Sequence, residues 1–273
     1  MLALKLGMSL TSSNKPRVTA FPNEYSLDFD GVNDYVTFGD AKVFTPNGNA
    51  TGRGFSIGMW FKTTDASTGG FPPNNIYLLG KTLSLGGNSE YTMKVESTGK
   101  ISLILFGNGG AAPFDPRATL TTNTALNNGN WQHIVFTWDL GSPVTTSNFK
   151  VYVNGSQDTS ATIVTSGTLT SVSNGTAPLT LATSGVGIGA AYYEGNEDEV
   201  FIVDDTLSAS QVTDIYNGGK PIDMTTINHL VGWWRNGDPT GTGAYPTIVD
   251  ASSNSNNGTM TNMASGDIVT DVP

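Results

Sequence analysis

The sequence predicts an all-β protein, a two-sheet antiparallel sandwich carrying one short helix. Three observations predict it. Short runs of alternating apolar and polar residues recur at close spacing between Gly, Asn and Asp turns. The composition is rich in Gly (33 residues), with only 13% charged residues against roughly 25% in an average domain. A single stretch carries helix start and stop signals.

The elements follow in order. Leu2, Leu4, Leu6, Met8 and Leu10 alternate with period two, so residues 1–20 read as a strand-forming arm whose charges, Lys5, Lys15 and Arg17, are all positive. Ser26–Phe29 and Tyr35–Phe38 flank a turn at Gly31–Asp34, and Phe55–Lys62 alternates apolar with small residues. Strands are expected at Ile76–Gly80, Tyr91–Val95, Lys100–Phe106, Trp131–Trp138 and Phe149–Val153, with Asn154-Gly155 as a two-residue hairpin turn. Leu179–Ala182, Val186–Ile188 and Glu199–Val203 complete the main series. From Leu207 to Tyr216 a helix is expected. Ser208 is its N-cap with Gln211 three residues on, Val212 with Tyr216 and Leu207 with Ile215 form its apolar face, and Gly218-Gly219 ends it. The Gly- and Pro-rich stretches 69–75 and 107–117 read as loops, the usual carriers of binding surface.

The bulk numbers exclude several classes. A chain of 273 residues has ample core. Its net charge of −10 leaves no basic footprint for nucleic acid. No apolar run approaches the roughly 18 residues of a membrane span. There is no cysteine, which removes thiolate chemistry and points to a reducing site of synthesis. The first ten residues lack the features of an export signal.

The order of the motifs carries a resemblance. Ser26-Leu27-Asp28-Phe29-Asp30-Gly31-Val32-Asn33-Asp34-Tyr35-Val36 resembles the opening strand pair of concanavalin A-like, laminin-G-like and pentraxin-like jelly rolls. Phe55–Phe61 resembles the next core strand, Trp131–Trp138 the strand written W-x-H-I/V, and Asp198-Glu199-Val200 with the helix to Tyr216 the closing segment. The segments around Leu230–Arg235 and Asp250–Met260 resemble one that the family places before its opening strand. The layout therefore reads as a circular permutation: an arm over 1–20, a jelly-roll sandwich over 21–264 whose strands from about 225 to 264 are permuted, and a tail over 265–273.

The resemblance implies where chemistry would sit. Family members bind calcium at the sandwich rim, so Asp30, Asn33 and Asp34 on the turn, with Asp198 and Glu199, are the candidate Ca²⁺ ligands. The competing reading is that Asp30 and Asn33 only shape the turn. Tyr192 and Tyr193 are candidate sugar-stacking rings, with Phe71, Tyr77 and Phe114 as further candidates. Related hydrolases carry a strand written Glu-x-Asp-x-(x)-Glu. Here Glu194-Gly195-Asn196-Glu197-Asp198-Glu199 has its acids at other spacings, with Glu197 and Glu199 expected on one face and Asp198 on the other, and no enzyme is expected. His133 is expected as a packed residue, and the two histidines form no triad.

Chains with this ending and a Leu-rich start resemble structural proteins of tailed bacteriophages. That resemblance implies a virion protein (a capsid decoration, head fibre or tail-associated subunit) assembled in the host cytoplasm. Its arm, through Leu2, Leu4, Lys5, Leu6, Met8 and Leu10, would dock on other virion proteins, and the protein would be a homo-oligomer, dimer or trimer. The alternative is a carbohydrate-binding adhesin module that takes a host-surface glycan.

Overall fold

The computed structural model describes residues 21–46, 53–68, 75–82, 89–107, 116–139, 143–184, 192–238 and 240–273. The arm over 1–20, the expected strand Val186–Ile188, and Phe71 and Phe114 lie outside the described residues.

The strands in chain order are β1 (Ser26–Asp30), β2 (Tyr35–Thr37), β3 (Phe55–Lys62), β4 (Ile76–Thr82), β5 (Ser89–Val95), β6 (Ile101–Phe106), β7 (Arg117–Thr121), β8 (Gln132–Trp138) and β9 (Phe149–Val153). There follow β10 (Ser156–Gln157), β11 (Thr162–Ser166), β12 (Leu179–Leu181), β13 (Glu194–Val203), helix α1 (Ala209–Tyr216), β14 (Leu230–Trp234), β15 (Thr247–Ile248), β16 (Gly258–Thr261) and β17 (Ile268–Val269). All the strand pairs are antiparallel. One sheet runs β10-β9-β8-β3-β13-β1-β17, with β14 also paired to β13, and the other runs β11-β7-β6-β5-β4-β12-β2-β16-β15. The two-sheet sandwich with one short helix is the expected fold.

The main core lies between the sheets, where Leu27, Phe29, Ile57, Phe61, Leu79, Tyr91, Leu103, Phe136 and Trp234 meet. A second apolar cluster lies on the outer face of the first sheet. Val135, Tyr152, Phe201 and Val203 are covered there by Val212 and Ile215 of α1, by Met224 and by Trp233. The middle of that sheet is thus buried on both faces, which is why every residue of β8 is buried. Burying a Val or Ile side chain contributes roughly 1.5–3 kcal/mol, so two such residues suffice to hold a helix of two turns in place.

Local signals act as expected at the helix and the hairpin. The Ser208 side chain accepts the backbone N–H of Gln211, and the Gln211 side chain accepts the N–H of Ser208. Ser208→Ala is expected to cost about 1 kcal/mol, read from the urea unfolding midpoint. Asn154 and Gly155 both have positive φ, 48° and 76°, as the two-residue turn between Val153 and Ser156 requires. A side chain at Gly155 would also strike the Tyr216 ring at 2.7 Å, so the glycine seats α1 against the sheet as well.

Two expectations are corrected. Residues 265–273 are not a tail. β17 pairs with β1, and Asp271 accepts bonds from Lys62 Nζ (2.5 Å) and Trp131 Nε1 (2.9 Å). β7 and β11 are additional strands, short and Thr-rich, that pair with each other beside β6. After α1, β14 joins β13 and β16 joins β2.

Candidate functional site

The site begins with β1 and β13. They pair in antiparallel register, Asp30 opposite Glu194 and Asp28 opposite Asn196, so the start of β13 and the end of β1 share one end of the sandwich. Gly195 makes this approach possible. Its φ is 137°, and a Cβ there would lie 2.3 Å from the Lys62 carbonyl oxygen. The result is an open cleft of about 460 Å³ lined by Asp28, Asp30, Lys62, Thr64, Glu194 and Asn196.

The cleft is acidic. Burial, and the charges of Asp267, Asp271 and Glu194, raise the Asp28 carboxyl above its usual range. Asp271 is partly buried, but bonds from Lys62 and Trp131 hold its carboxyl below the usual range. Lys62 is thereby committed to Asp271, and the free acceptors of the cleft are carboxylates. Carboxylates, the Asn196 amide and the Thr64 hydroxyl make an array suited to hydroxyl groups.

The turn at the rim carries Asp30, Asn33 and Asp34. Asp30 Oδ1 accepts the N–H groups of Val32 (2.8 Å) and Asn33 (3.4 Å), an Asx turn. Asp34 Oδ2 accepts the Asp30 N–H at 3.3 Å, and burial lifts its carboxyl to about 6. Tyr35 and Tyr192 stand beside this turn, half-buried, with ring centroids 6.5 Å apart and planes at 32°. Of the residues predicted from sequence, the structure therefore brings Asp30, Asn33, Asp34 and Tyr192 to one end of the sandwich, and adds Tyr35, Asp28, Lys62, Glu194 and Asn196.

The remaining candidates lie elsewhere. Tyr193 is not a stacking surface. Its ring is fully buried against Phe29 (6.2 Å), and its hydroxyl donates to the carbonyls of Lys62 (3.0 Å) and Asn196 (3.1 Å). Asp198 and Glu199 do not join Asp30. They lie further along β13, beneath residues 21–25 and the chain after β14. Asp198 Oδ2 accepts Asn23 Nδ2 (2.9 Å) and its Oδ1 accepts the Glu199 N–H (2.7 Å). Glu199 accepts Trp233 Nε1 (2.5 Å) and Arg235 Nε (3.2 Å). Burial pushes both carboxyls up, Glu199 to about 7 against the opposing pull of Arg235. Among the described residues no group of three or more His, Asp or Glu side chains is placed to hold a metal ion.

The order of faces along β13 also differs from expectation. A bulge between Asp198 and Phe201, with Glu199 at φ 48°, turns Asp198 and Glu199 to the same outer side. Glu197, opposite Leu27 and Phe61, points into the main core, where neither carboxylate oxygen has a hydrogen-bond partner. Only Glu194 among the strand's glutamates opens to the cleft. His133 is packed as expected. It is fully buried 5.0 Å from the Trp60 ring, and burial alone lowers its pKa to about 3, so it is neutral. The helices among the described residues include none long and apolar enough to cross a membrane.

This architecture recurs in known proteins. A candidate carbohydrate binding protein of Bacteroides ovatus superposes with a TM-score of 0.57 at 15% identity, over 89% of this chain and 60% of its own. This chain thus spans 60% of that protein's length. The heptameric SAP-like pentraxin of Limulus polyphemus superposes at 0.45 with 16% identity, over 73% of this chain and 85% of its own. The CBM40 of a Ruminococcus gnavus sialidase, bound to α2,3-sialyllactose, does so at 0.43 with 14% identity, over 70% and 97%. At 15% identity the likeness to the Bacteroides ovatus protein is one of fold alone. No curated protein matches the sequence. A family model does match, over residues 30–213, the greater part of the chain, from the opening turn through most of α1, and the protein belongs to the concanavalin A-like lectin/glucanases superfamily.

Proposed function

We propose that this protein is a carbohydrate-binding module. The observation that carries the reading is the open cleft between β1, β3 and β13. It gathers acidic and amide acceptors (Asp28, Asp30, Glu194, Asn196), while two half-buried tyrosines that pack on each other, Tyr35 and Tyr192, lie close along the chain, Tyr35 after the turn that Asp30 opens and Tyr192 two residues before Glu194. A sugar ring offers hydroxyl donors at its edge and C–H groups on its face. Carboxylates take the first and an aromatic ring takes the second. The superfamily's own description names lectins and glucanases, and the Bacteroides ovatus protein is a candidate carbohydrate binder, both of which support the reading. Binding without turnover fits the strand chemistry, since Glu197 and Glu199 are turned away from the cleft.

The test is a broad glycan array probed with the full chain, with and without calcium because Asp30, Asn33 and Asp34 stand on the rim. For any glycan that binds, Tyr192→Ala and Glu194→Gln are each expected to weaken binding by about tenfold, the effect of losing roughly 1.4 kcal/mol. No binding to any glycan in either condition overturns the proposal. The expected place in a virus particle rests on the arm over 1–20, outside the described residues, and on the resemblance of the chain's ending, and none of the similar proteins described above is named as a virion component.

A further inference from the structure

The sheet β11-β7-β6-β5-β4-β12-β2-β16-β15 ends on β11, whose sequence is Thr162-Ile163-Val164-Thr165-Ser166. Among the described residues no strand pairs with its outer edge. It contains no proline, charge or bulge, and its pairing with β7 is regular over all five residues. Val164 is 64% exposed, one of the few large apolar residues on the described surface.

The sandwich is also incompletely closed here. Ile163, opposite Leu120, faces the main core yet is only half-buried. Ala161 before β11, and Val153 on β9 near the facing margin of the other sheet, are likewise half-buried against the core. Two features therefore coincide among the described residues: a sheet edge with no strand beyond it and a half-buried apolar margin. A strand with alternate apolar residues would fill both.

The sequence contains one such segment outside the described residues. In residues 2–10 the sequence alternates Leu2, Leu4, Leu6, Met8 and Leu10 with Ala3, Lys5, Gly7 and Ser9, the pattern that puts the first set on one face of an extended strand. The three charges of residues 1–20 are all positive, in a chain of net charge −10. Two copies repel through their acidic bodies, and this segment is the part of one copy that the other attracts.

We propose that residues 2–10 of a second copy add to β11 as a further strand, even-numbered residues toward the core beside Ile163 and odd-numbered residues outward beside Val164. A second copy is favoured over the same chain by reach. Residue 21 is held over the outer face of the opposite sheet, with Phe21 stacked on Trp233 and Asn23 on Asp198 of β13. From β13 the same chain would have to cross four strand spacings to β10 and then the thickness of the sandwich, about 30 Å in all. Residues 11–20 span about 34 Å when fully extended, only about 4 Å more than that direct path, and α1, about 10 Å across and packed on β8 and β9 along it, forces a detour longer than that margin. The proposal is independent of glycan binding.

The absence of native cysteine allows a direct test in the full chain. Lys5→Cys and Val164→Cys are placed on separate chains, mixed and oxidised, with Ala3→Cys and Gly7→Cys covering the neighbouring registers. Facing residues on adjacent strands lie about 4.5–5.5 Å apart, within disulfide range. The expected result is a disulfide-linked dimer of the two different chains for at least one odd-numbered position. It should exceed by at least tenfold the yield with Val32→Cys, an exposed turn residue away from the edge. Leu4→Cys and Leu6→Cys should link to Ile163→Cys and not to Val164→Cys. The proposal is overturned by yields equal to the Val32→Cys control, by linkage found only within one chain carrying both cysteines, or by Val164→Cys chains linking to one another, which would mean that two β11 edges pair.

Discussion

Lys81→Met is expected to lower folding stability by about 3–5 kcal/mol, the cost of leaving a buried charge without its partner. Lys81 is fully buried. Its ammonium donates to Asp40 Oδ1 (2.8 Å), Glu90 Oε1 (2.7 Å) and the Ala177 carbonyl (2.8 Å). Glu90, also fully buried, takes further bonds from Thr45 Oγ1 (2.5 Å) and the Gly175 N–H (2.9 Å). One ion pair thus joins β4 and β5 to the chain after β2 and to the chain before β12. Burial raises the Glu90 carboxyl even with Lys81 in place, so without the lysine it must take a proton or remain an unpaired anion. The double variant Lys81→Met, Glu90→Met removes both charges and should cost less than Lys81→Met alone. Urea unfolding at neutral pH measures both. A single variant within 1 kcal/mol of the parent would show that the pair does not hold these segments together.

Glu197→Leu is expected to do the reverse and stabilise the protein, by about 2–3 kcal/mol at pH 8. The parent carboxyl sits in the main core with no hydrogen-bond partner, and burial pushes its pKa well above the usual carboxylate range. Ionising it there, or holding a proton on it above its natural range, costs free energy that an apolar side chain of similar volume does not. The pH dependence follows from the same shift. Glu197, Glu199 (raised to about 7) and Asp34 (raised to about 6) all bind protons more tightly in the folded state than the usual 4.5 for Glu and 3.8 for Asp. A folded state that binds more protons is favoured at low pH. The stability these groups confer is full below their unfolded values and declines as pH rises through the folded ones. The melting temperature should therefore fall between pH 5 and pH 8. Glu197→Leu should raise it more at pH 8 than at pH 5, by about 5–10 °C at the higher pH for a domain of this size. A lower melting temperature for the variant at pH 8 would contradict this account.

Much of the fold was written locally. Most core strands are legible because alternate apolar residues face one sheet interior, and β3, β8, β9 and α1 fall within a residue or two of their expected ends. Asn154-Gly155 and Ser208 with Gln211 specify a turn and a cap by chemistry within four residues of chain. Other features depend on partners distant in sequence. β7 and β11 have weak patterns of their own, and become strands because β6 offers an edge to β7 and β7 one to β11. Residues 265–273 join the fold through β1, Lys62 and Trp131, more than 130 positions away.

The candidate site divides the same way. The rim turn at Asp30, Asn33 and Asp34 and the tyrosine at 192 were visible as residue types on a turn and beside a loop. That Tyr192 faces out while Tyr193 is buried depends on the register of β13 against β1 and β3, which no local pattern fixes. The bulge after Asp198 is equally silent in sequence, yet it turns Asp198 and Glu199 to the same outer side, while Glu197, in regular register before it, points into the core. The sequence by itself determined which segments are strands and which residues could meet a sugar. The tertiary structure decided which of them share a surface, because in a sheet one residue of register moves a side chain from one face to the other.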